Sequence, residues 1–347
     1  MKNPYTLQFG KEPKNLISRA SQIAEIEESF REDDPVQQVY MITGVRGAGK
    51  TVLMTEIAKR FRDDKEWIVV ELNPRSDLLK EMAAKLSSEN TLAEIFQRAK
   101  INLSFFGIGL EVTGSVPITN IETALEKMLD SLKKRGKHVL ITIDEVTNTE
   151  EMGVFAGAFQ IFVRHELPVF LVMTGLYENI DALQNEENLT FLYRAARIDL
   201  KPLNLGVIAG NYEKAFNIKP ETAKEMARLT RGYPYGFQAL GYFTWENKGD
   251  YTKALDQYKQ LLDERAYEKL WSEMSAGDRR IAYGIAKSKS GKTSEIREIL
   301  SLKPNEINPY RKRLMRKGIV NGDERGVLKF TLPLFESYVM DNYDLVI

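Results

Sequence analysis

Apolar and polar positions in residues 1–202 follow two patterns that alternate along the chain. Short apolar, β-branched runs predict buried strands at 39–43, 67–72, 139–143 and 169–174, and the segment 189–200 ends in a further strand. The segments between these runs place apolar residues three and four positions apart, which is the spacing of a helix face. Strands that alternate with helices in this way predict an α/β domain.

The alternation ends near Pro202. Residues 203–272 show only helical spacing, at about 205–217, 221–230, 235–246 and 251–269, and therefore predict a separate helical module. Residues 273–347 predict three helices, at about 278–287, 293–300 and 305–317, and then two strands, which is the order of a winged helix. We therefore predict three domains, 1–202, 203–272 and 273–347.

Residues 103–117 interrupt the first domain with apolar and β-branched residues separated by glycines. This composition indicates either a hairpin or a loose extended insertion. Its apolar residues fit a surface for a partner, or a flap that packs on the domain itself.

The segment GVRGAGKT, at 44–51, fits the phosphate-loop pattern of glycine, four residues, glycine, lysine and serine or threonine. It stands between a predicted strand and a helix pattern, which is the context that the motif requires. Glycines allow the backbone N–H groups to turn towards phosphate oxygens, Lys50 would reach the β- and γ-phosphates, and Thr51 would ligate Mg²⁺. The plain alternative is a glycine-rich turn before an ordinary helix. The residues expected to bind nucleotide here are Gly44, Val45, Arg46, Gly47, Ala48, Gly49, Lys50, Thr51 and Val52.

The apolar run at 139–143 ends in Asp144 and Glu145. Ligands of open parallel sheets bind at the C-terminal ends of the strands, where these carboxylates would lie. Asp144 would hold Mg²⁺ directly or through water, and Glu145 would orient and deprotonate the attacking water. The alternative is a strand that ends in two solvated acids.

Three further side chains are candidates for contact with the γ-phosphate. Thr174 ends the run at 169–174, so its hydroxyl would touch the γ-phosphate or the attacking water, unless it only faces a turn. Arg194 and Arg197 are candidates for the cation that meets γ-phosphate charge, in the same chain or across a subunit interface. Spacing does not choose between them, and surface arginines are the alternative.

Composition excludes several classes of function. The chain has no cysteine and two histidines, His138 and His165, which excludes disulfides, thiol catalysis and a metal site built from histidines. No apolar run approaches the ~18 residues of a membrane span, and the N-terminus lacks the apolar core of a signal peptide. A cytoplasmic location without a membrane partner is therefore expected.

The formal net charge of the chain is zero, so a nucleic-acid partner requires a local basic patch. Residues 276–347 carry 14 Lys and Arg against 9 Asp and Glu, a net charge of +5, while the other residues carry 35 against 40. Three to five cations in contact with double-stranded DNA would give a slope of log K against log salt of about −3 to −4. A winged helix that makes protein contacts is the alternative. The cations predicted to bind DNA lie on the third helix of this module and are Arg311, Lys312, Arg313, Arg316 and Lys317.

Taken together, these motifs resemble those of AAA+ and STAND P-loop ATPases, in particular prokaryotic ATP-binding proteins related to archaeal origin-recognition initiators. The resemblance covers nearly the whole chain and is strongest at 44–51 and 139–145. Ile17 and Arg19 are similar to the N-terminal motif that lines the adenine pocket in that class, although Ser18 replaces its usual glycine.

The segment 232–234, Gly-Tyr-Pro, is similar to the STAND element whose proline, here Pro234, meets the adenine. Initiators instead carry a sensor arginine in this region, for which Arg231 is the candidate, so the choice between the two branches stays open. The resemblance also implies a parallel sheet of five strands in the order 5-1-4-3-2, a lid formed by residues 203–272, and a sensor role for Thr174.

These observations predict an ATP-binding, slowly hydrolysing nucleotide switch that depends on Mg²⁺. ATP or ADP would change the position of the basic winged helix on DNA. A rival hypothesis is a signalling ATPase whose winged helix makes protein contacts only, and a third is an ATP-binding protein without turnover. Homo-oligomers and partner proteins stay open.

Overall fold

A computed structural model of the protein describes residues 2–8, 13–109, 112, 114–186, 190–322 and 324–343. The chain divides into two compact units. The sheet unit consists of Arg19–Thr43 and Lys50–Asp199, and the helical unit consists of residues 1–18, 44–49 and 200 onwards. The phosphate loop at 44–49 therefore groups with the helical unit. The division into three domains is finer than this one and stays a prediction.

The sheet unit is built on five parallel strands in the order β2-β3-β4-β1-β5. Counted from the other edge, this is the order 5-1-4-3-2, so the order implied by the resemblance is confirmed. All positions of β1 and β4 are buried, as expected for strands covered on both faces. The strands are β1 Val39–Thr43, β2 Trp67–Leu72, β3 His138–Ile143, β4 Val169–Gly175 and β5 Ala196–Asp199.

Amphipathic helices complete the sheet unit and bury their apolar faces in one core. One core includes Met128, Phe159 and Leu171, and Ile57 of the helix after β1 is buried as well. The helices are α1 Ala20–Phe30, α2 Lys50–Arg62, α3 Leu78–Ser88, α4 Asn90–Arg98, α5 Ile121–Lys133, α6 Glu150–Arg164, α7 Tyr177–Gln184 and α8 Thr190–Tyr193.

The insertion between α4 and α5 is a loop with a single 3₁₀ turn, Ser104–Phe106, and its described residues form no strand. Asn102 is buried and fixes the loop, because its amide donates to the Ser115 carbonyl at 3.0 Å and its oxygen accepts from the Ser104 N–H. The described residues of the insertion therefore form an irregular loop and do not form the strands of a hairpin. Residues 110, 111 and 113 lie outside the described residues.

The helical unit joins the predicted helical module and the C-terminal module through one hydrophobic core. Tyr267 of the first donates its hydroxyl to the Pro333 carbonyl of the second, and its ring packs edge-on against Phe335. The two modules therefore pack as one body. The elements are α9 Leu205–Phe216, α10 Pro220–Thr230, α11 Pro234–Glu246, α12 Leu255–Leu262, α13 Glu268–Ser272, α14 Ala276–Lys287, α15 Thr293–Leu300, α16 Asn308–Arg316, β6 Val320–Asn321, β7 Lys329–Phe330 and α17 Phe335–Tyr343.

The C-terminal module contains three helices and then an antiparallel hairpin, in which Val320 pairs with Phe330. An additional bridge joins Lys292, just before α15, to Val327. Pro309 lies in the first turn of α16, where a missing N–H is tolerated, so this helix begins at Asn308 and is shorter than the segment predicted from the sequence. No helix in the described ranges is both long enough and apolar enough to span a bilayer.

The helical run predicted at 251–269 contains a π-helical turn at Asp263–Tyr267. Within this turn, Asp263 Oδ1 is buried without a hydrogen-bond partner. Burial raises the pKa of the Asp263 carboxyl to about 6; Lys259 opposes the shift, and the charges of Asp341 and Glu264 add to it. A carboxyl whose pKa is higher in the folded than in the unfolded state stabilises the fold at low pH, and this stabilisation is lost as pH rises towards 6.

We predict that Asp263→Asn increases the free energy of unfolding at pH 7.5 and has a much smaller effect at pH 4.5. The reason is that the amide has the shape of the carboxyl but carries no charge at either pH. Urea denaturation at the two pH values measures the effect, and the exposed Asp256 in α12 supplies the control variant Asp256→Asn. Equal effects of Asp263→Asn at both pH values would show that its carboxyl is not protonated in the fold.

Candidate phosphate and magnesium site

The Asp144 carboxylate joins two predicted site residues in the sheet unit. Thr51, in the first turn of α2, donates its hydroxyl to Asp144 Oδ2 at 2.7 Å, and Thr174, near the end of β4, donates its hydroxyl to Oδ1. The parallel pairing of β3 with β4 explains the second contact, because Ile143 lies opposite Met173 and the next residue of each strand follows in register. The structure thus places together three residues that are far apart in sequence.

The oxygens at this point match what Mg²⁺ requires. A hydroxyl and a carboxylate are hard ligands, and P-loop enzymes hold Mg²⁺ with one of each, while water and phosphate fill the other positions. In the described part of the chain, no group of three or more acidic or histidine side chains could hold a metal ion. Thr51 and Asp144 therefore fit a magnesium ion that is bound together with a nucleotide.

Glu145 has an unusual backbone. Its φ is +53°, which is left-handed and is uncommon for residues other than glycine. Its N–H lies 3.1 Å from Asp144 Oδ1 and 3.2 Å from the Thr174 hydroxyl, and the next N–H, of Val146, donates to the Thr174 carbonyl. These hydrogen bonds hold the strained turn, and the Glu145 side chain is exposed beyond the end of β3. Strain of this kind is concentrated at functional sites.

Thr174 is fully buried, and its hydroxyl both donates and accepts a hydrogen bond. The hydroxyl donates to Asp144 and accepts from the Glu145 N–H. The contact with γ-phosphate predicted from the sequence stays a prediction. What the geometry adds is that Thr174 orients both acids at the end of β3.

Lys50 is the first residue of α2, so it lies where the positive end of the helix dipole and the free N–H groups of the first turn favour an anion. Val52 follows in the same turn. The side chains of Leu53, Ile57 and Phe61 lie on one face of this helix and are buried along its length. The placement is the one that the phosphate-loop motif requires of its lysine.

The phosphate loop itself is described within the helical unit. Gly47 and Gly49 have φ of +75° and +87°, and the Ala48 N–H closes a turn on the Val45 carbonyl at 3.2 Å. Arg46 is half-exposed on the loop and pairs with Glu273 at 3.1 Å. Gly47 and Gly49 are therefore needed for their backbone angles.

Residues 233–235 lie directly against this loop. The Tyr233 hydroxyl donates to the Arg46 carbonyl at 2.7 Å, and the Tyr235 N–H donates to the Gly47 carbonyl at 3.2 Å. A Cβ on Gly49 would lie 4.0 Å from Pro234 Cβ, so Pro234 is beside the loop, and its contact with adenine stays a prediction. Sequence reasoning missed both tyrosines, and the only signal was their position on either side of Pro234.

Arg231 begins the corner between α10 and α11, residues 231–235. Its side chain contacts the C-terminal module instead of the phosphate loop. Its guanidinium donates to the carbonyls of Phe330 and Leu332, at 3.1 and 3.0 Å, and pairs with Glu336 at 2.6 Å. The alternative in which Arg231 lies near phosphate is therefore not the observed arrangement. Its role is to join the corner to the C-terminal hairpin and α17.

The two candidate arginines after β4 differ in their surroundings. Arg197 lies on β5, bonded to Asp181 at 2.5 Å and to Asp199 at 2.9 Å. Burial lowers its pKa, but the hydrogen bonds to the two acids outweigh burial, and the net result is a raised pKa. Arg194 is exposed between α8 and β5. The structure thus makes Arg197 part of an internal ion-pair network.

Ile17 and Arg19 flank the start of α1. Ile17 is half-buried and packs against the core of the helical unit, and Arg19 occupies the N-cap position of α1 in the sheet unit. Burial lowers the pKa of the Arg19 guanidinium. Their predicted contact with adenine stays a prediction.

Arg313 of the basic helix α16 forms an ion pair with a buried acid. Arg313 binds both carboxylate oxygens of Asp278 at 2.8 Å and also the Ser275 hydroxyl, and Asp278 is only 1% exposed. Lys312 and Arg316 are exposed, whereas Arg311 and Lys317 are half-buried. Arg313 therefore neutralises a buried acid, and Lys312 and Arg316 remain the exposed candidates for a phosphate contact.

Comparison with known proteins agrees with this geometry. Residues 16–175 match a family described as an ATPase domain predominantly from Archaea, and residues 264–339 match a domain of unknown function. No curated protein sequence matches the chain.

Two solved structures share the fold. The Walker-type ATPase PABY2304 of Pyrococcus abyssi is 16% identical, with a TM-score of 0.67 over 94% of this chain and 96% of that one. The ADP form of the ORC2 protein of Aeropyrum pernix is 14% identical, with a TM-score of 0.50 over 98% and 97% of the two chains. At these identities, the comparisons show a common fold.

We predict that Thr174→Val lowers the rate of ATP hydrolysis about tenfold or more, because the Asp144 carboxylate and the Glu145 N–H each lose a hydrogen bond. Thr174→Ser keeps the hydroxyl and is the matched control, with a rate expected within about threefold of the wild type. Phosphate release at several Mg²⁺ concentrations measures both variants, after thermal unfolding has shown that both are folded. Equal rates for the two variants would contradict the role of the hydroxyl.

Proposed function

We propose that this chain is a P-loop ATPase of the AAA+ type, because residues 16–175 match a family described as an ATPase domain predominantly from Archaea. The proposal is a slow, Mg²⁺-dependent nucleotide switch in which the bound nucleotide, ATP or ADP, changes the position of the C-terminal module. One observation carries it: residues 231–235 contact the phosphate loop at one end and the C-terminal hairpin at the other.

The chemistry assigned to each residue follows from its placement. The N–H groups of 44–49 and the first turn of α2 bind phosphate oxygens, and Lys50 adds a positive charge. Thr51 and Asp144 hold Mg²⁺, which neutralises phosphate charge when it is bound. Glu145, exposed and fixed by its backbone hydrogen bonds, accepts the proton of the attacking water.

The cation for the γ-phosphate is assigned to Arg194. Arg197 is held by Asp181 and Asp199, and releasing it would leave two carboxylates without their partner. Arg194 is exposed, so it suits a contact with nucleotide bound by a second copy of the chain. This assignment implies an oligomer.

The output is assigned to the C-terminal module, which we interpret as a winged helix. Three helices followed by an antiparallel hairpin, with a bridge from Lys292 to the hairpin, support this interpretation. We propose that it binds double-stranded DNA through α16, using the exposed Lys312 and Arg316. The net charge of +5 in residues 276–347 supports an anionic partner.

A STAND-type signalling ATPase is the second candidate, and one observation favours it. Pro234 lies beside the phosphate loop while Arg231 is bound to the C-terminal module, which fits the STAND element better than a sensor arginine. In this candidate the C-terminal module makes contacts with a protein. Both candidates use the same switch and differ only in the partner.

Glu145→Gln should stop ATP turnover and leave ATP affinity within about twofold, because an amide keeps the size of the side chain but cannot accept the proton. Calorimetry measures affinity and phosphate release measures turnover. The exposed Glu151 of α6 supplies the control Glu151→Gln, which should hydrolyse ATP normally. If Glu145→Gln hydrolyses ATP at the wild-type rate, the base is another group.

Arg231→Ala should remove the difference in DNA affinity between the ADP-bound protein and the protein bound to a non-hydrolysable ATP analogue. The reason is that Arg231 makes the hydrogen bonds and the ion pair that connect the corner to Phe330, Leu332 and Glu336. Duplex DNA titrations at several salt concentrations measure this difference in the wild type and the variant.

The matched control is Arg228→Ala, which removes an exposed arginine from α10, one turn before Arg231. It should keep the wild-type difference. Salt-sensitive binding by the wild type supports the DNA hypothesis, and no binding at low salt supports a protein partner. A nucleotide-dependent difference that persists in Arg231→Ala would show that the signal does not pass through this residue.

A further inference from the structure

Two successive carbonyl groups of the phosphate loop accept hydrogen bonds from one helix corner. The Arg46 carbonyl accepts from the Tyr233 hydroxyl at 2.7 Å, and the Gly47 carbonyl accepts from the Tyr235 N–H at 3.2 Å. The first of these hydrogen bonds depends on one side-chain atom, so substitution can remove it without changing the backbone.

Peptide geometry gives this hydrogen bond a consequence for the N–H groups. In a planar trans peptide the carbonyl and the N–H point in opposite directions. Since the Arg46 carbonyl is directed at Tyr233, the N–H of Gly47 in the same peptide is directed away from Tyr233. Phosphate loops bind anions with N–H groups that point to one side, so the orientation of this peptide bears directly on phosphate affinity.

Tyr233 is held rigidly enough to fix that orientation. Its side chain is almost entirely buried, at 5% exposure, and its N–H is bonded to the Thr230 carbonyl at 2.8 Å. Burial also raises its pKa, so the hydroxyl stays protonated and remains a donor. Gly232, with φ of +75°, is bonded through its carbonyl to the Leu203 N–H and fixes the turn before it.

The contact leaves no space for a side chain at position 47 of the phosphate loop. A Cβ on Gly47 would lie within 2.9 Å of Tyr233 Cζ and of Tyr235 Cβ, and closer still to the Tyr233 oxygen. Contacts this short are not tolerated, so the corner approaches the loop more closely than any residue other than glycine would allow. The fit is specific to Gly47, which also needs its positive φ.

We propose that Tyr233 is a positioning residue for nucleotide binding, which holds the Arg46–Gly47 peptide so that its N–H faces the phosphate before the nucleotide arrives. This inference rests on the proposed role of the loop as the nucleotide site. Loss of the hydroxyl reduces the fraction of loops in the binding orientation and raises the apparent Kd in proportion. At saturation the nucleotide itself holds the loop, so kcat changes little.

The test is Tyr233→Phe, measured against Tyr212→Phe. The hydroxyl of Tyr212 is also fully buried and donates to a carbonyl, that of Phe237, at 2.7 Å in the same unit. Each variant therefore loses one hydroxyl-to-carbonyl hydrogen bond of 2.7 Å, but only that of Tyr233 involves the loop. Calorimetry with ADP should show affinity weakened about 3- to 10-fold in Tyr233→Phe and within about twofold of the wild type in Tyr212→Phe.

Steady-state hydrolysis supplies a second readout that a purely structural role would not move. Tyr233→Phe should raise the KM for ATP by the same factor and leave kcat within about twofold. ADP affinity equal to that of Tyr212→Phe, or a fall in kcat at unchanged KM, would overturn the proposal. Should Tyr233→Phe not fold, Tyr233→Met removes the same hydroxyl with an adaptable apolar side chain and is judged by the same criteria.

A third variant separates failure of this inference from failure of the proposed site. Lys50→Ala should abolish ADP binding, since it removes the cation of the phosphate loop. If Lys50→Ala binds ADP like the wild type, the loop is not the nucleotide site and the role of Tyr233 falls with it. If Lys50→Ala loses binding and Tyr233→Phe does not differ from Tyr212→Phe, the site stands and only the role of Tyr233 is wrong.

Discussion

A phosphate loop has to direct its N–H groups towards an anion, so the carbonyl groups of the same peptides must find donors elsewhere. In this protein the donors are the Tyr233 hydroxyl and the Tyr235 N–H. Much of the surrounding geometry follows from that need. The close approach requires glycine at position 47, and the corner that supplies the donors requires left-handed backbone at Arg231 and Gly232. A motif recognised by its glycines is thus completed by two tyrosines about 190 residues later.

The sheet unit satisfies a second requirement, which is to hold a carboxylate firmly while leaving it available to a metal ion. Asp144 Oδ1 accepts the Thr174 hydroxyl and the Glu145 N–H, whereas Oδ2 accepts the Thr51 hydroxyl alone among these contacts and keeps capacity for a metal ion. Strand register alone delivers Thr174 to this position. The left-handed turn at Glu145 then ends the strand, so the acid proposed to hold Mg²⁺ and the proposed base are adjacent in sequence but differ in burial and backbone.

Local patterns made most of the fold, and the contiguous motifs of the candidate site, predictable from the sequence. The apolar runs at 67–72 and 139–143 and the motif at 44–51 are contiguous, so hydrophobic periodicity and spacing are enough to find them, and the strand order came from the family resemblance. The partners of charged residues were not predictable. Arg313 with Asp278 and Arg231 with Glu336 are pairs fixed by tertiary packing, and nothing in the spacing of an arginine says which acid it will meet.

The ion pair between Arg313 and Asp278 limits the phosphate contacts that α16 is able to make. Asp278 is almost wholly buried, and moving Arg313 to a phosphate would leave that carboxylate without a counter-ion, at a cost of several kcal/mol. The cations of α16 available to DNA are then fewer than its composition suggests, so the affinity for DNA phosphates and its dependence on salt would both be smaller than five cations would give. A shared core joins the C-terminal module to the corner at 231–235. Selective binding of DNA or of a protein would therefore have to depend on the nucleotide bound at the phosphate loop rather than on the charge of α16.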